Sequence, residues 1–318
     1  MLKQKNKLIL IILILCVFSC KNNEDIKIIS KINKEGTIRY FYVDNKEIAR
    51  FYYNSEGERI KSEGQIIEGK VKLYSYDENG EESYLILNYK NNQSEDGMIR
   101  EYYTNGKIKK IFTEEKDHIV GEVKEYYKNG NLKRRYFFKK DKLEGPLEEY
   151  YENGKIKWKL NYKNGLTNGM QYLYSKKGKL DHCGLDINSK SEGIWTWYHE
   201  NGQKRTEMEY KNDILDGIIR HYDKNGRLIA EGINKNGKLN GVYSWYEINE
   251  GWLIAQTEYK DGIANGFRKE YYKNGKLKVL GNYKDGKKDG IWITYREDGE
   301  KIIEEVYKDD KIINVKRY

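Results

Sequence analysis

Residues 266–290 read GFRKEYYKNGKLKVLGNYKDGKKDG, and they show the unit from which the fold is built. It contains two short runs with strand-forming aromatic and aliphatic residues, one ending at an Asn-Gly pair and one at an Asp-Gly pair. Such runs between turn-forming pairs are typical of β-strands joined by hairpins. They are too short for helices, and their pattern lacks the helical period. The stretch therefore predicts two antiparallel strands.

The same unit recurs along the chain. Its first residue is a glycine, found at Gly69, Gly97, Gly121, Gly145, Gly169, Gly193, Gly217, Gly241, Gly266 and Gly290. After the first interval the spacing is 24 residues, with a single 25. Five residues later stands a tyrosine, at Tyr74, Tyr102, Tyr126, Tyr150, Tyr174, Tyr198, Tyr222, Tyr246, Tyr271 and Tyr295. A fixed period of this length indicates a repeat array.

We therefore predict an all-β, elongated and twisted antiparallel β-hairpin repeat array, with about ten 24-residue, two-strand units over residues 69–318. Residues 26–68 resemble worn copies of the unit, as expected for repeats that cap an array. Composition agrees, because the chain has 30 Tyr and 30 Gly but one Pro. Tyrosine favours strands, and glycine favours tight turns.

The N-terminus predicts export and lipid attachment. Three lysines precede an apolar run over residues 8–18, which is too short to span a bilayer comfortably. The run ends at Ser19-Cys20, which resembles the lipobox of bacterial lipoproteins. We expect a signal peptide over residues 1–19, a lipid on Cys20 and a short tether over residues 20–25. The expected location is the bacterial cell envelope, at the outer membrane or the outer leaflet of the cytoplasmic membrane.

Charge and cysteine content argue against a nucleic-acid partner and against a disulfide-stabilised fold. The formal net charge is +9, but positive and negative residues are interleaved without a basic stripe, so no nucleic-acid partner is expected. Once the signal peptide is removed and Cys20 carries lipid, Cys183 is the single free cysteine, and no disulfide framework is possible.

Turn geometry decides which side chains share a face, and two registers are open. A two-residue Asn274-Gly275 turn would pair Tyr271 with Lys278. A three-residue loop that includes Lys273, with a glycine bulge, would pair Tyr271 with Leu277. We favour the second register. It would place Phe267, Leu277 and Tyr283 beside Tyr271 on a packed face.

Catalytic and metal-binding signals are weak, and we expect no enzyme, cofactor or metal. His182 stands next to Cys183, but adjacent strand residues point to opposite faces. Glutamates recur four residues after the repeat glycine, at Glu101, Glu125 and Glu149. A recurring glutamate near lysine indicates a solvated cross-strand ion pair, whereas a catalytic pair should be singular.

The tryptophans are the candidate partner-binding residues. In the favoured register Trp195, Trp197, Trp245 and Trp292 lie on the face opposite the recurrent tyrosines. One interpretation is core packing. The other is an exposed aromatic platform for a protein or glycan partner.

The segment from Tyr283 to Trp292, YKDGKKDGIW, resembles a MORN repeat in its bacterial variant form. The likeness extends over residues 69–318 and implies a hairpin ribbon that acts as a scaffold or binding surface. Proteins with this variant are often labelled YwqK-type antitoxins, so the resemblance also implies a possible toxin partner.

Three functional hypotheses follow. The first is a membrane-tethered scaffold without catalytic activity that binds a protein partner at the cell envelope. The second is an antitoxin or immunity protein, and the third is a cell-wall or glycan-binding repeat protein. The tyrosine-rich 24-residue units count against the third, because choline-binding modules use shorter, tryptophan-richer units.

Replacement of Cys20 by alanine tests the predicted anchor. We expect Cys20→Ala to release the protein from the membrane fraction or to leave its signal peptide uncleaved, because the acylated thiol is lost. Fractionation and gel migration measure both outcomes. A variant that fractionates and migrates like the wild type contradicts the lipoprotein hypothesis.

Overall fold

The structure is a computed structural model that describes residues 27–33, 36–43, 46–53, 59–64, 68–76, 82–90, 93–94, 96–116 and 118–318. Every helix or strand element in these ranges is a β-strand. Within them, no helix long and apolar enough to cross a membrane is found. The predicted signal peptide, tether and Cys20 lie outside the described residues.

The chain divides into two compact units that meet in sequence at Gly154 and Lys155. The strands of the first are β1 (Lys27–Asn33), β2 (Gly36–Val43), β3 (Lys46–Tyr53), β4 (Arg59–Gly64), β5 (Glu68–Tyr76), β6 (Glu82–Lys90), β7 (Gln93–Ser94), β8 (Gly97–Tyr103), β9 (Ile108–Glu115), β10 (His118–Tyr126), β11 (Leu132–Lys139), β12 (Lys142–Leu143) and β13 (Gly145–Tyr150).

The second unit continues the pattern. Its strands are β14 (Ile156–Lys163), β15 (Leu166–Thr167), β16 (Gly169–Tyr174), β17 (Leu180–Ile187), β18 (Lys190–Tyr198), β19 (Lys204–Lys211), β20 (Ile214–Tyr222), β21 (Leu228–Lys235), β22 (Lys238–Leu239), β23 (Gly241–Tyr246), β24 (Leu253–Lys260), β25 (Ile263–Tyr271), β26 (Leu277–Lys284), β27 (Lys287–Lys288), β28 (Gly290–Tyr295), β29 (Lys301–Lys308) and β30 (Lys311–Arg317).

Strands that follow one another in sequence pair antiparallel within each unit, as in β18–β19, β19–β20 and β20–β21. Strands β1 to β4 form a four-stranded sheet of their own, inside the segment expected to cap the array. The predicted all-β fold of successive hairpins is therefore confirmed, and the elongated shape stays a prediction.

The Asn-Gly turn is the predicted three-residue loop. Tyr271 pairs with Leu277, as the favoured register requires. The amide of Tyr272 donates to the Lys276 carbonyl at 2.8 Å, and the Gly275 amide donates back to the Tyr272 carbonyl at 2.9 Å. Gly275 adopts φ 80°, a left-handed conformation that costs glycine little.

The Asp-Gly turn is tighter. Lys284 pairs with Lys287, so only Asp285 and Gly286 lie in the loop. Both have positive φ, at 48° and 81°, as in a type I′ turn, whose twist matches that of the flanking strands. Asn and Asp are the other residues that tolerate this conformation, and Asn212-Asp213 forms the same turn.

A bulge beyond the loop changes which residues share a face. After Tyr271 and Leu277, the next pair is Glu270 with Val279, so the second strand contains one extra residue. The extra residue moves Tyr283 away from Tyr271. Tyr283 instead pairs with Gly266 and lies 5.2 Å from Trp292, between ring centroids. The expectation that Tyr283 joins Tyr271 on one face is wrong for this reason.

We call the two sides of the hairpin sheet the tryptophan face and the tyrosine face. The tryptophan face carries Trp195, Trp197, Trp245 and Trp292, and the tyrosine face carries the recurrent tyrosines such as Tyr198 and Tyr246. Strand alternation and the register place these sets on opposite sides, as the sequence predicted.

The tryptophan face is the packed one, so the expectation that the tyrosines face the packed side is wrong. Ala255 and Thr257 on the tryptophan face are each 2% exposed, and Trp292 is 6% exposed. On the tyrosine face, Ile194 and Ile291 are 47% and 54% exposed. Both faces contain apolar residues, so composition did not distinguish the packed face from the open one.

Glycines on one strand accommodate rings from the next. Gly184 lies under Trp195, Gly232 under Tyr243 and Gly281 under Trp292, each ring 11 residues after its glycine. Both tryptophans donate from Nε1 to a backbone carbonyl, Trp195 to Leu185 at 3.3 Å and Trp292 to Asn282 at 3.2 Å. The rings therefore cover the backbone and are held in one orientation.

Gly281→Ala tests this packing. A Cβ at residue 281 would overlap the Trp292 indole. We therefore expect the free energy of unfolding, measured in urea, to fall by about 1–3 kcal/mol, as for other overpacked sites. In a Trp292→Ala background the same change should cost much less, because the overlapping ring is gone. Equal costs in the two backgrounds would contradict the packing.

Candidate functional site

The recurrent tyrosines make a repeated hydrogen bond on the tyrosine face. Each hydroxyl in four successive units of the second half reaches a side chain 15 residues earlier. The pairs are Tyr198 with Cys183 at 3.7 Å, Tyr222 with Glu207 at 2.6 Å, Tyr246 with Glu231 at 2.9 Å and Tyr271 with Gln256 at 3.1 Å. The hydroxyls therefore tie adjacent strands together.

Burial and this hydrogen bond change the acidity of both partners at Tyr222. Burial, together with the bond to Glu207, raises the pKa of Tyr222 from 10.0 to about 12. Burial alone would raise the pKa of the Glu207 carboxyl, but donors on Lys204 and Tyr222 outweigh it and lower that pKa. The neutral phenol and the ionised carboxylate are thus the favoured pair.

The second aromatic of each Tyr-Tyr pair links neighbouring repeats. The hydroxyl of Tyr103 donates to the Tyr126 carbonyl at 2.7 Å, and that of Tyr272 donates to the Tyr295 carbonyl at 2.8 Å. His199 occupies the same position, with Nε2 3.0 Å from the Tyr222 carbonyl oxygen. These bonds fix the spacing between successive hairpin loops.

The recurring glutamates form the expected cross-strand ion pairs, and these pairs are half-buried rather than fully solvated. Glu101 lies 3.0 Å from Lys109 Nζ and accepts from Ser83 Oγ at 2.7 Å. Arg134 lies 3.2 Å from Glu149 and 3.8 Å from Glu125. Each carboxylate is engaged by a neighbouring strand, and this supports a structural role.

Three tryptophan rings gather around His182 on the tryptophan face of the second unit. The His182 ring centroid lies 6.1 Å from Trp158, 6.1 Å from Trp195 and 5.8 Å from Trp197. Trp195 and Trp197 are 6.3 Å apart. All four side chains are half-buried. We call Trp158, His182, Trp195 and Trp197 the aromatic cluster.

Cys183 points away from this cluster, as the strand alternation predicted. Its Sγ lies 3.7 Å from the Tyr198 hydroxyl, on the tyrosine face. His182 Nδ1 contacts Asp181 at 2.9 Å. Throughout the described part of the chain, no group of three or more His, Cys, Asp or Glu residues is arranged to hold a metal ion.

The other two candidate tryptophans are covered by cations of the chain itself. The Arg268 guanidinium lies 5.3 Å from the Trp245 ring centroid. Lys288 Nζ lies 4.3 Å from the Trp292 ring centroid. Such contacts desolvate the ring and stabilise the cation. The structure therefore brings Trp195 and Trp197 together but leaves Trp245 and Trp292 in separate settings.

A buried polar group in β17, the strand that carries His182, was not foreseen. Asp186 is 8% exposed and accepts hydrogen bonds from Thr167 Oγ1 at 2.6 Å and from Gln171 Nε2. Most units have an aromatic residue at this strand end, and the replacement by Asp186 was visible in the sequence. The burial of Asp186 was not visible in the sequence, because burial depends on the register of three neighbouring strands.

Comparison with known proteins supports the repeat assignment. The MORN repeat variant family matches five segments, residues 95–113, 119–140, 143–164, 191–212 and 265–285. No curated protein sequence matches the chain.

Two solved structures show weak likeness. The crystal structure of TcdB2–TccC3 is 12% identical with a TM-score of 0.19, covering 92% of this chain and 20% of that one. A Tc holotoxin pore from Photorhabdus luminescens is 12% identical with a TM-score of 0.14, covering 88% and 17%. This chain thus spans about a fifth of their length.

Alkaline pH should selectively weaken the Tyr222 contact. The pKa of Tyr222 is higher in the folded than in the unfolded protein. The contribution of this hydrogen bond to folding stability is therefore complete below pH 10.0 and is lost as pH rises towards about 12. We expect the stability advantage of wild type over Tyr222→Phe, measured by urea unfolding, to shrink over this range. Tyr295→Phe is the control, since Leu280 lies 15 residues before it. A constant advantage from pH 8 to 12 would contradict the assignment.

Proposed function

We propose that this protein, five segments of which match the MORN repeat variant, is a non-catalytic repeat scaffold that binds a protein partner. In this proposal a lipid on Cys20 tethers it to a membrane of the bacterial cell envelope. The lipobox-like Ser19-Cys20 supports the tether, and the repeated hairpins support the scaffold. Repeat arrays present continuous surfaces along which several modest contacts can act together.

The aromatic cluster is the observation that carries the binding role. Its three tryptophan rings lie within about 6 Å of the His182 ring, and all four side chains are half-buried, although the same face buries Trp292 almost completely. Large rings that stay partly exposed gain contact area when a partner covers them. Tryptophan is enriched at the energetic centres of protein interfaces.

The repeated polar groups support a structural rather than catalytic use. Glu101, Glu125 and Glu149 are held by neighbouring lysine and arginine side chains, and Glu207 is held by Lys204 and Tyr222. Carboxylates paired in this way at equivalent positions stabilise successive hairpins. The aromatic cluster, by contrast, brings three tryptophans and a histidine together on one face of the second unit.

Substitution of the cluster in the full-length, membrane-bound protein tests the proposal. We expect Trp197→Ala to reduce crosslinking to the partner in cells by about tenfold or more, as for an interface hot spot. Ile291→Ser on the tyrosine face is the matched control, because Ile291 is also exposed but lies away from the cluster. Unchanged capture by Trp197→Ala would contradict the proposed site.

Identification of the captured molecule separates the alternatives. A captured envelope protein supports the scaffold, and a captured toxin supports the antitoxin or immunity role. If purified cell wall retains the wild-type protein but not Trp197→Ala, the ligand is a glycan rather than a protein, since flat rings also stack on sugars.

A further inference from the structure

One repeat near the C-terminus contains an ammonium site filled by the chain itself. Trp292 and Tyr307 meet edge to face, with ring centroids 6.0 Å apart. Lys288 Nζ lies 4.3 Å from the first ring centroid and 4.8 Å from the second. The ammonium group is thus held by two aromatic faces, a favourable cation–π arrangement.

The same pair of rings recurs four units earlier. Trp195 and Tyr210 stand 97 residues before Trp292 and Tyr307. Their rings also meet edge to face, at 6.5 Å. Trp195 lies over Gly184 and bonds the Leu185 carbonyl, as Trp292 lies over Gly281 and bonds the Asn282 carbonyl. The local geometry of the two repeats is therefore matched.

Three differences lie around the rings of the earlier repeat, and one of them puts Met208 where the later repeat has Glu305. Ser191 stands where the later repeat has Lys288, and Asp186 stands where it has Tyr283. The short Ser191 side chain cannot extend an ammonium group over the rings, and Trp195 is accordingly more exposed than Trp292. The earlier repeat also has a carboxylate next to the position of Lys288, because Asp186 lies opposite Ser191 across β17 and β18.

Within the part of the chain that the structure describes, the donors to the Asp186 carboxylate are neutral side chains. Besides Thr167 and Gln171, it accepts from Ser191 Oγ at 3.5 Å. Among the described residues it takes part in none of the ion pairs formed by Lys, Arg or His. A carboxylate that is nine-tenths buried gains from a cation of opposite charge, because the low local dielectric strengthens the attraction.

We propose that Trp195, Tyr210 and Asp186 form a slot for a primary ammonium group, supplied by a lysine side chain of the partner protein. The identity of the donor as a partner lysine rests on the proposed function, whereas the ammonium chemistry rests on the comparison with Lys288. The rings receive the ammonium group as Trp292 and Tyr307 receive Lys288. Asp186 supplies the countercharge from the position of Tyr283, whereas in the later repeat the carboxylate at the rings belongs to Glu305, which accepts from the Tyr307 hydroxyl at 3.0 Å.

Titration with n-butylammonium tests the slot directly. The indole N–H resonance of Trp195, assigned with Trp195→Phe, should move saturably with n-butylammonium and not with n-butanol. Ser191→Lys should abolish the response, because the new side chain fills the slot as Lys288 fills its own. Asp186→Asn should weaken binding about tenfold or more through loss of the charged acceptor. Asn234 occupies the equivalent position in the repeat two units later.

Lys288→Ser is the control and should leave the Trp195 response unchanged. Equal responses to n-butylammonium and n-butanol, or an unaltered response in Ser191→Lys, would overturn the slot. Native Trp292 resonances verify that the Ser191 and Asp186 variants are folded, and native Trp195 resonances do so for Lys288→Ser. If the wild type binds n-butylammonium but crosslinks to no envelope protein, the scaffold proposal fails and the slot stands. If Ser191→Lys keeps full partner capture and the wild type ignores n-butylammonium, the slot fails and the scaffold stands.

Discussion

The register of each hairpin is the constraint on which the rest of the structure depends. A three-residue loop pairs Tyr271 with Leu277, and one extra residue in the next strand then shifts every later pair. Because side chains alternate between faces, a one-residue shift reassigns a whole strand. The same shift recurs after Tyr198 and Tyr222, so successive hairpins separate tryptophans from recurrent tyrosines in the same way.

This separation produces two chemically different surfaces. On the tryptophan face, glycines such as Gly184 and Gly281 leave room for indole rings from the adjacent strand. On the tyrosine face, hydroxyls bond side chains 15 residues earlier, and aliphatic side chains such as Ile194 remain exposed. Stability therefore comes from small repeated contacts between neighbours, as expected for arrays in which each unit touches mainly the next.

Regularity also makes departures informative. One repeat position is occupied by Lys288 in one repeat and by Ser191 in another. Equivalent pairs of rings therefore lie beside an ammonium group in the first repeat and a small hydroxyl side chain in the second. The aromatic strand end that becomes Asp186 adds a buried carboxylate to the strand paired with that of Trp195. Variation within a constant backbone is how an array can acquire a local binding site without changing its fold.

The sequence by itself determined the all-β hairpin repeat, its 24-residue period and the three-residue loop, because turn chemistry and glycine spacing are local properties. It also placed Trp195 and Trp292 opposite the tyrosines. Only the tertiary structure decided which face is packed, since a bulge after Tyr271 moved Tyr283 across the sheet. The burial of Asp186 likewise depended on side chains from three strands, whose approach no local pattern specifies.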